Sequence, residues 1–118
     1  MMAWLNRQSD SAIYVTAISV AELLAGLAVM PQGKRKVALT GKMGAILSEF
    51  VNAILPFDDD AARVYAALHS KAKANKYTLP LADAQIAAIA TVRGYAVAAR
   101  DVKPFLAAGL PVINPWEE

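Results

Sequence analysis

Cysteine is absent from this 118-residue chain, and histidine occurs once, at His69. The first absence excludes a disulfide framework, a thiolate zinc site and a cysteine nucleophile, and it suits a reducing, cytoplasmic setting. The second leaves no histidine-rich metal site and no ordinary Ser-His-Asp triad, so any chemistry falls mainly to carboxylates. Long apolar runs are lacking as well. Glu22, Asp83 and Arg93 break up the hydrophobic stretches before any reaches the ~18 residues of a membrane span. The opening Met1-Met2-Ala3-Trp4-Leu5-Asn6-Arg7 has no basic region followed by an apolar core and does not read as a secretory signal. No glycine-rich loop follows an expected strand, which argues against a nucleotide-binding domain.

What the chain does have is apolar residues, 57% of the total against 19% charged. That composition supports a sizeable core, and the length suits one domain spanning residues 1–118, given the usual ~100–200 residues per domain. Formal net charge is +2, a mild bias that permits an anionic partner without requiring one. The cations gather at Lys34, Arg35, Lys36 and Lys42, and again at Lys71, Lys73 and Lys76. Two solvated helix faces would explain this, as would a surface that follows a phosphate backbone.

Strand and helix signals alternate along the chain. Residues 2–8 read as the tail of a helix, and Ile13–Thr16, β-branched and aromatic, as a short buried strand. Ser19 and Glu22 have the spacing of a capping box for the next helix, which Pro31-Gln32-Gly33 ends. A helix is expected over about 34–51 and an extended element over 53–57. Asp58-Asp59-Asp60 is an acidic start for a helix to about Asn75. Leu81–Arg93 reads as an alanine-rich helix closed by Gly94. A strand over 95–99, a short helix capped by Asp101 and a last strand over 110–114 complete the pattern. Such alternation indicates βαβ units and a parallel sheet. Tyr14 and Tyr95, in strands, are expected in the core, as are Leu23, Leu24 and Leu27, although that leucine stripe would also serve a docking surface. His69 is expected at the surface. Trp4 and Trp116 are expected to be packing residues.

Three carboxylates fall just past expected strands or at helix starts: Glu22, Asp83 and Asp101. Ligands of open parallel sheets bind outside the carboxyl ends of the strands, so Glu22 and Asp101 are expected to face one crevice, which Asp83 could join. Clustered carboxylates repel one another in a low-dielectric setting, and a divalent cation relieves the repulsion. Mg²⁺ and Mn²⁺ favour such oxygen ligands. Each acid also has a purely local explanation: Glu22 as half of a capping box, Asp83 as complement to a helix dipole, Asp101 as an N-cap. Arg100, beside Asp101, could hold a phosphate or form an ion pair.

The wording around these acids resembles a known family. Thr16-Ala17-Ile18-Ser19-Val20-Ala21-Glu22-Leu23, Ala82-Asp83-Ala84-Gln85-Ile86-Ala87-Ala88-Ile89-Ala90, Ala99-Arg100-Asp101-Val102-Lys103-Pro104-Phe105 and Ile113-Asn114-Pro115-Trp116-Glu117 together look like a PIN domain, most of all the VapC/FitB-like toxins of bacterial toxin–antitoxin pairs. The resemblance implies a three-layer α/β/α sandwich around a central parallel sheet. It implies Mg²⁺- or Mn²⁺-dependent endoribonuclease activity, with Glu22, Asp83 and Asp101 as catalytic metal ligands and RNA as substrate. It also implies a homodimer held inactive by a cognate antitoxin.

This sequence departs from the pattern at its start. The family's usual opening strand, roughly Leu-Asp-Thr-Asn, has no counterpart here, and Asp10, within Gln8-Ser9-Asp10-Ser11, reads as a solvated loop acid. The first strand and first acid are therefore expected to be missing. In this fold that strand lies between the Ile13–Thr16 and Tyr95–Ala99 strands, and each buried unpaired backbone group left behind costs about 1–3 kcal/mol. Another segment, a partner chain or direct pairing of the two flanking strands is expected to close the gap. A metal site with one acid fewer would bind its cation more weakly. That leaves a rival expectation, a catalytically inactive module that keeps only its antitoxin or dimer surface.

Overall fold

The computed structural model describes residues 13–98, 103–107, 109–110 and 112–113. These divide into two compact units, one over Ile13–Pro56 and one containing the described residues from Phe57 onward. The expected helix over residues 2–8 lies outside the described residues, as do Trp4, Asp10 and Trp116.

In the first unit, strand β1 (Val15–Thr16) pairs in parallel with β2 (Ile54–Leu55), in the register Val15↔Ile54 and Thr16↔Leu55. Parallel neighbours need a crossover. Helices α1 (Ala17–Ala28) and α2 (Lys34–Glu49) supply it. The start of α1 corrects the expected capping box. Its N-cap is Thr16, whose Oγ1 accepts a hydrogen bond from the Ser19 backbone N–H at 3.0 Å and donates to Ser19 Oγ at 3.0 Å. An extended N-cap residue that offers an oxygen to the third helical N–H satisfies a donor the helix cannot. Thr16, already extended as the end of β1, fills that role before Ser19 can, so Glu22 is not needed for capping. Gly33, at φ +154°, precedes α2, and Lys36 Nζ donates to the Ala28 carbonyl at 3.3 Å.

The second unit opens with α3 (Asp59–Ala74), capped by Asp58, whose carboxylate accepts from the Ala61 N–H at 3.0 Å. Asp59 and Asp60 in its first turn and Lys71 and Lys73 in its last turn complement the helix dipole. Helix α4 (Leu81–Arg93) packs along α3. Ala61, Leu68 and Ala72 of α3 and Ala84, Ala87, Ala88, Ile89 and Ala90 of α4 are buried. Alanine on both sides allows the two backbones to approach closely. Strand β3 (Val97–Ala98) pairs in parallel with β4 (Val112–Ile113), and α5 (Lys103–Ala107) lies between them in sequence. Val97, Phe105 and Leu110 complete the buried set.

Three chain reversals in this unit share one hydrogen-bond pattern. Tyr95 N–H reaches Ala90 O and Gly94 N–H reaches Thr91 O; Leu110 N–H reaches Phe105 O and Gly109 N–H reaches Leu106 O; Tyr77 N–H reaches Ala72 O and Lys76 N–H reaches Lys73 O. These are Schellman pairs, which place the residue after the helix in the left-handed region. Glycine occupies that position twice, at φ +71° and +83°, and Lys76 once, at φ +57°.

The fold is α/β with parallel strand pairs, as the alternation predicts. Each ladder is shorter than the runs suggest, and among the described residues none joins β1 to β3. Two core assignments are overturned. Tyr14 is 40% exposed and Tyr95 39% exposed. Tyr14 precedes the paired residues of β1, and Tyr95 belongs to the reversal after α4 rather than to β3. No described helix is long and apolar enough to cross a membrane.

Candidate functional site

Glu22 sits in the second turn of α1, exposed to solvent. Because Thr16 and Ser19 close the helix start between them, its carboxylate has no structural duty at the cap. It stands instead at a groove of about 250 Å³ between α1 and α2, lined by Glu22, Leu23, Gly26, Leu27, Met30, Leu39 and Met43. Glu22 is the one ionisable residue of that lining. Gly26 leaves the wall open, since a Cβ there would meet nothing within 4 Å.

The leucine stripe of α1 is not core. Leu23 is 43% exposed and Leu24 50% exposed, and neither α1 nor α2 contains a buried residue. Val37 and Ile46 of α2 are exposed as well.

Asp83 lies in the first turn of α4 and is half-buried. Two features hold it in place. The positive end of the helix dipole favours a carboxylate there. Ala84, Ala87, Ala88, Ile89 and Ala90 give α4 more buried residues than any other described helix, so the backbone that carries Asp83 is firmly anchored. The helix has no side-chain cap, since Pro80 precedes it.

Asp101 and Arg100 lie outside the described residues. Glu22 and Asp83 belong to different units and are each described within their own. Among the described residues no three His, Cys, Asp or Glu side chains form a group that could hold a metal ion. The expected donors are carboxylate oxygens throughout, the hard ligands that Mg²⁺ and Mn²⁺ take, with no thiolate and no imidazole to favour a softer ion. In chemistry, then, the donor set fits such a cation.

His69 is exposed, as expected, but it is also part of a ring stack. Its imidazole stacks on Tyr65 with centroids 6.0 Å apart and planes at 17°, and Tyr65 in turn meets Phe57 edge-on at 6.2 Å and 82°. The signal was in the sequence, since Tyr65 and His69 are four residues apart on one helix face. The groove residues Leu39 and Met43 also share that spacing, which by itself does not tell a groove from a core.

A family model described as PIN domain matches residues 2–109 of the chain. The chain is 46% identical over 118 residues to VapC ribonuclease Y4jK of Sinorhizobium fredii, which takes in 99% of this chain and 84% of that protein. It is 40% identical over 119 residues to Toxin FitB of Neisseria gonorrhoeae, 100% of this chain and 86% of that one. The crystal structure of FitAcB from Neisseria gonorrhoeae is similar at a TM-score of 0.92 and 40% identity, covering 99% of this chain and 85% of that chain.

Proposed function

The chain belongs to the PIN-domain family, and on that premise we propose that it is the ribonuclease toxin of a toxin–antitoxin pair, a Mg²⁺- or Mn²⁺-dependent endonuclease that cuts RNA in the cytoplasm. Residues 1–118 act as one domain of this kind. The observation that carries the reading is the near-complete likeness to a VapC ribonuclease, 46% identical over 99% of the chain.

Glu22, Asp83 and Asp101 are the residues assigned to hold the cation. When bound, it would neutralise charge on the scissile phosphate and make a water more acidic. Asp83 is suited to a fixed position, on the helix with the deepest packing in its unit. Glu22 is suited to a variable one, solvent-exposed and released from capping. Arg100 is assigned to the RNA phosphate, which a guanidinium holds with two parallel N–H donors.

The α1–α2 groove is assigned to the antitoxin. Its lining is apolar apart from Glu22, so a segment inserted there with apolar side chains and one basic residue would cover the leucine stripe and neutralise a metal ligand at the same time. The active form is taken to be a homodimer.

The test is cleavage of a labelled RNA by the purified chain with Mg²⁺ or Mn²⁺ and with EDTA. Cleavage is expected only with metal, and Asp83→Asn is expected to lower its rate by about a hundredfold or more, the scale on which removal of a charge-stabilising group acts. Equal cleavage by the two proteins would remove Asp83 from the site. Absence of cleavage together with absence of stoichiometric Mn²⁺ binding by calorimetry would leave only the inactive-module reading.

A further inference from the structure

We propose that the outer face of α3 is a second contact for the RNA strand, in which an unpaired base stacks on the His69 ring and a neighbouring phosphate meets Lys73. The identity of the nucleic acid rests on the ribonuclease reading; the platform rests on observations of its own. Phe57 and Tyr65 are half-buried and His69 is exposed, so the stack is anchored at its inner end and ends at solvent. The imidazole is nearly parallel to the Tyr65 ring, at 17°. Tyr65 lies beside it in an offset, near-parallel arrangement, with centroids 6.0 Å apart.

A surface histidine normally moves among rotamers and offers no fixed plane. Here the Tyr65 contact favours one orientation of the ring, which lowers the ordering cost that opposes stacking. Its neighbours on that side of α3, Ala62, Ala66 and Ser70, are exposed and short, and they leave room for a flat ring. Bases of any identity stack on such a surface, because each has a π-face.

Charge selects the partner. Lys73 is exposed one turn beyond His69, about 6 Å along the axis, and Lys76 is exposed just past the helix. The acids of α3 are at its other end; Asp60 is about 14 Å from His69 along the axis, and Asp59 is paired with Arg63 at 3.1 Å. An exposed ring with cations beside it and anions withdrawn matches a polyanion that carries flat bases. A protein segment with acidic residues would use the lysines but would not need the oriented ring.

The test uses the full chain carrying Asp83→Asn, so that binding is read without cleavage, and a fluorescein-labelled 12-nucleotide single-stranded RNA beside a duplex of equal length. His69→Ala is expected to weaken single-strand binding about fivefold or more. His69→Phe is expected to restore it, and the effect on the duplex is expected to be small. Lys73→Gln is expected to reduce the slope of log affinity against log salt by about 0.7. Thermal melting of the His69 variants should match the parent, because the residue is exposed. Equal binding by parent, His69→Ala and His69→Phe would overturn the platform, and so would a loss that phenylalanine fails to restore. The ribonuclease reading is tested separately, since cleavage by the chain with Asp83 intact can persist when the platform fails, and oligonucleotide binding can persist when cleavage fails.

Discussion

Lys76 occupies a backbone conformation that the same unit elsewhere gives to glycine. At φ +57° it follows α3 just as Gly94, at φ +71°, follows α4. For an L-residue the left-handed region costs roughly 1–2 kcal/mol, because Cβ crowds the following carbonyl oxygen. Glycine avoids that cost but loses more backbone freedom on folding, roughly 0.5–1 kcal/mol. The difference leaves Lys76→Gly stabilising by about 0.5–1 kcal/mol. For a chain of 118 residues that corresponds to a rise of about 2–4 °C in melting temperature. Lys76→Ala is the control: it removes the ammonium near Lys73 while keeping Cβ, so it isolates the backbone contribution. Gly94→Ala is the converse. A Cβ there meets nothing within 4 Å, so its destabilisation of about 1 kcal/mol would be backbone strain alone. Urea titration of the four proteins reads the result as midpoint shifts at constant slope. If Lys76→Gly is no more stable than Lys76→Ala, the strain argument is refuted.

Thr16→Ala is expected to cost about 1 kcal/mol in urea unfolding, the usual loss for an N-cap, whereas Ser19→Ala costs less because it leaves the Thr16 acceptor in place; the reverse order would restore the Ser19 cap. Gly26→Leu projects a side chain from a wall where a Cβ has no neighbour within 4 Å. It should fill the groove and weaken antitoxin capture at least tenfold in a titration, with RNA cleavage retained; undiminished capture would place the antitoxin elsewhere. The losses expected for Asp83→Asn in cleavage and for His69→Ala in oligonucleotide binding bear on the two RNA contacts separately.

The parts of this protein legible in the sequence are those controlled by neighbours along the chain. Leu81–Arg93 begins and ends as the pattern indicates, because its stop depends on one glycine in a left-handed turn. Asp58-Asp59-Asp60 starts α3 for an equally local reason, a carboxylate meeting a free N–H at 3.0 Å. Even the misplaced cap of α1 is a choice between candidates three residues apart, decided by Thr16 already being extended. Asp83 was recognisable as an acid at a helix start, whereas Glu22, expected in a first turn, lies in the second because α1 begins at Ala17; the fit of an all-oxygen donor set to a hard cation follows from composition alone.

Burial was not decided in this way. Leucine at helical spacing is compatible with core and with surface, and only the face that α2 brings to α1 shows that Leu23 and Leu24 remain open. Tyr14 and Tyr95 have strand-like sequences, yet pairing stops short of both and leaves them exposed. The stack that orients His69 needs Phe57, which the chain brings back to Tyr65 from outside the helix. Sequence thus determined the α/β class, most helix limits and the chemical character of the acids, because caps, turns and ionic character act within a few residues. Tertiary structure decided which apolar faces lack cover, because burial depends on what distant residues deliver to the same spot.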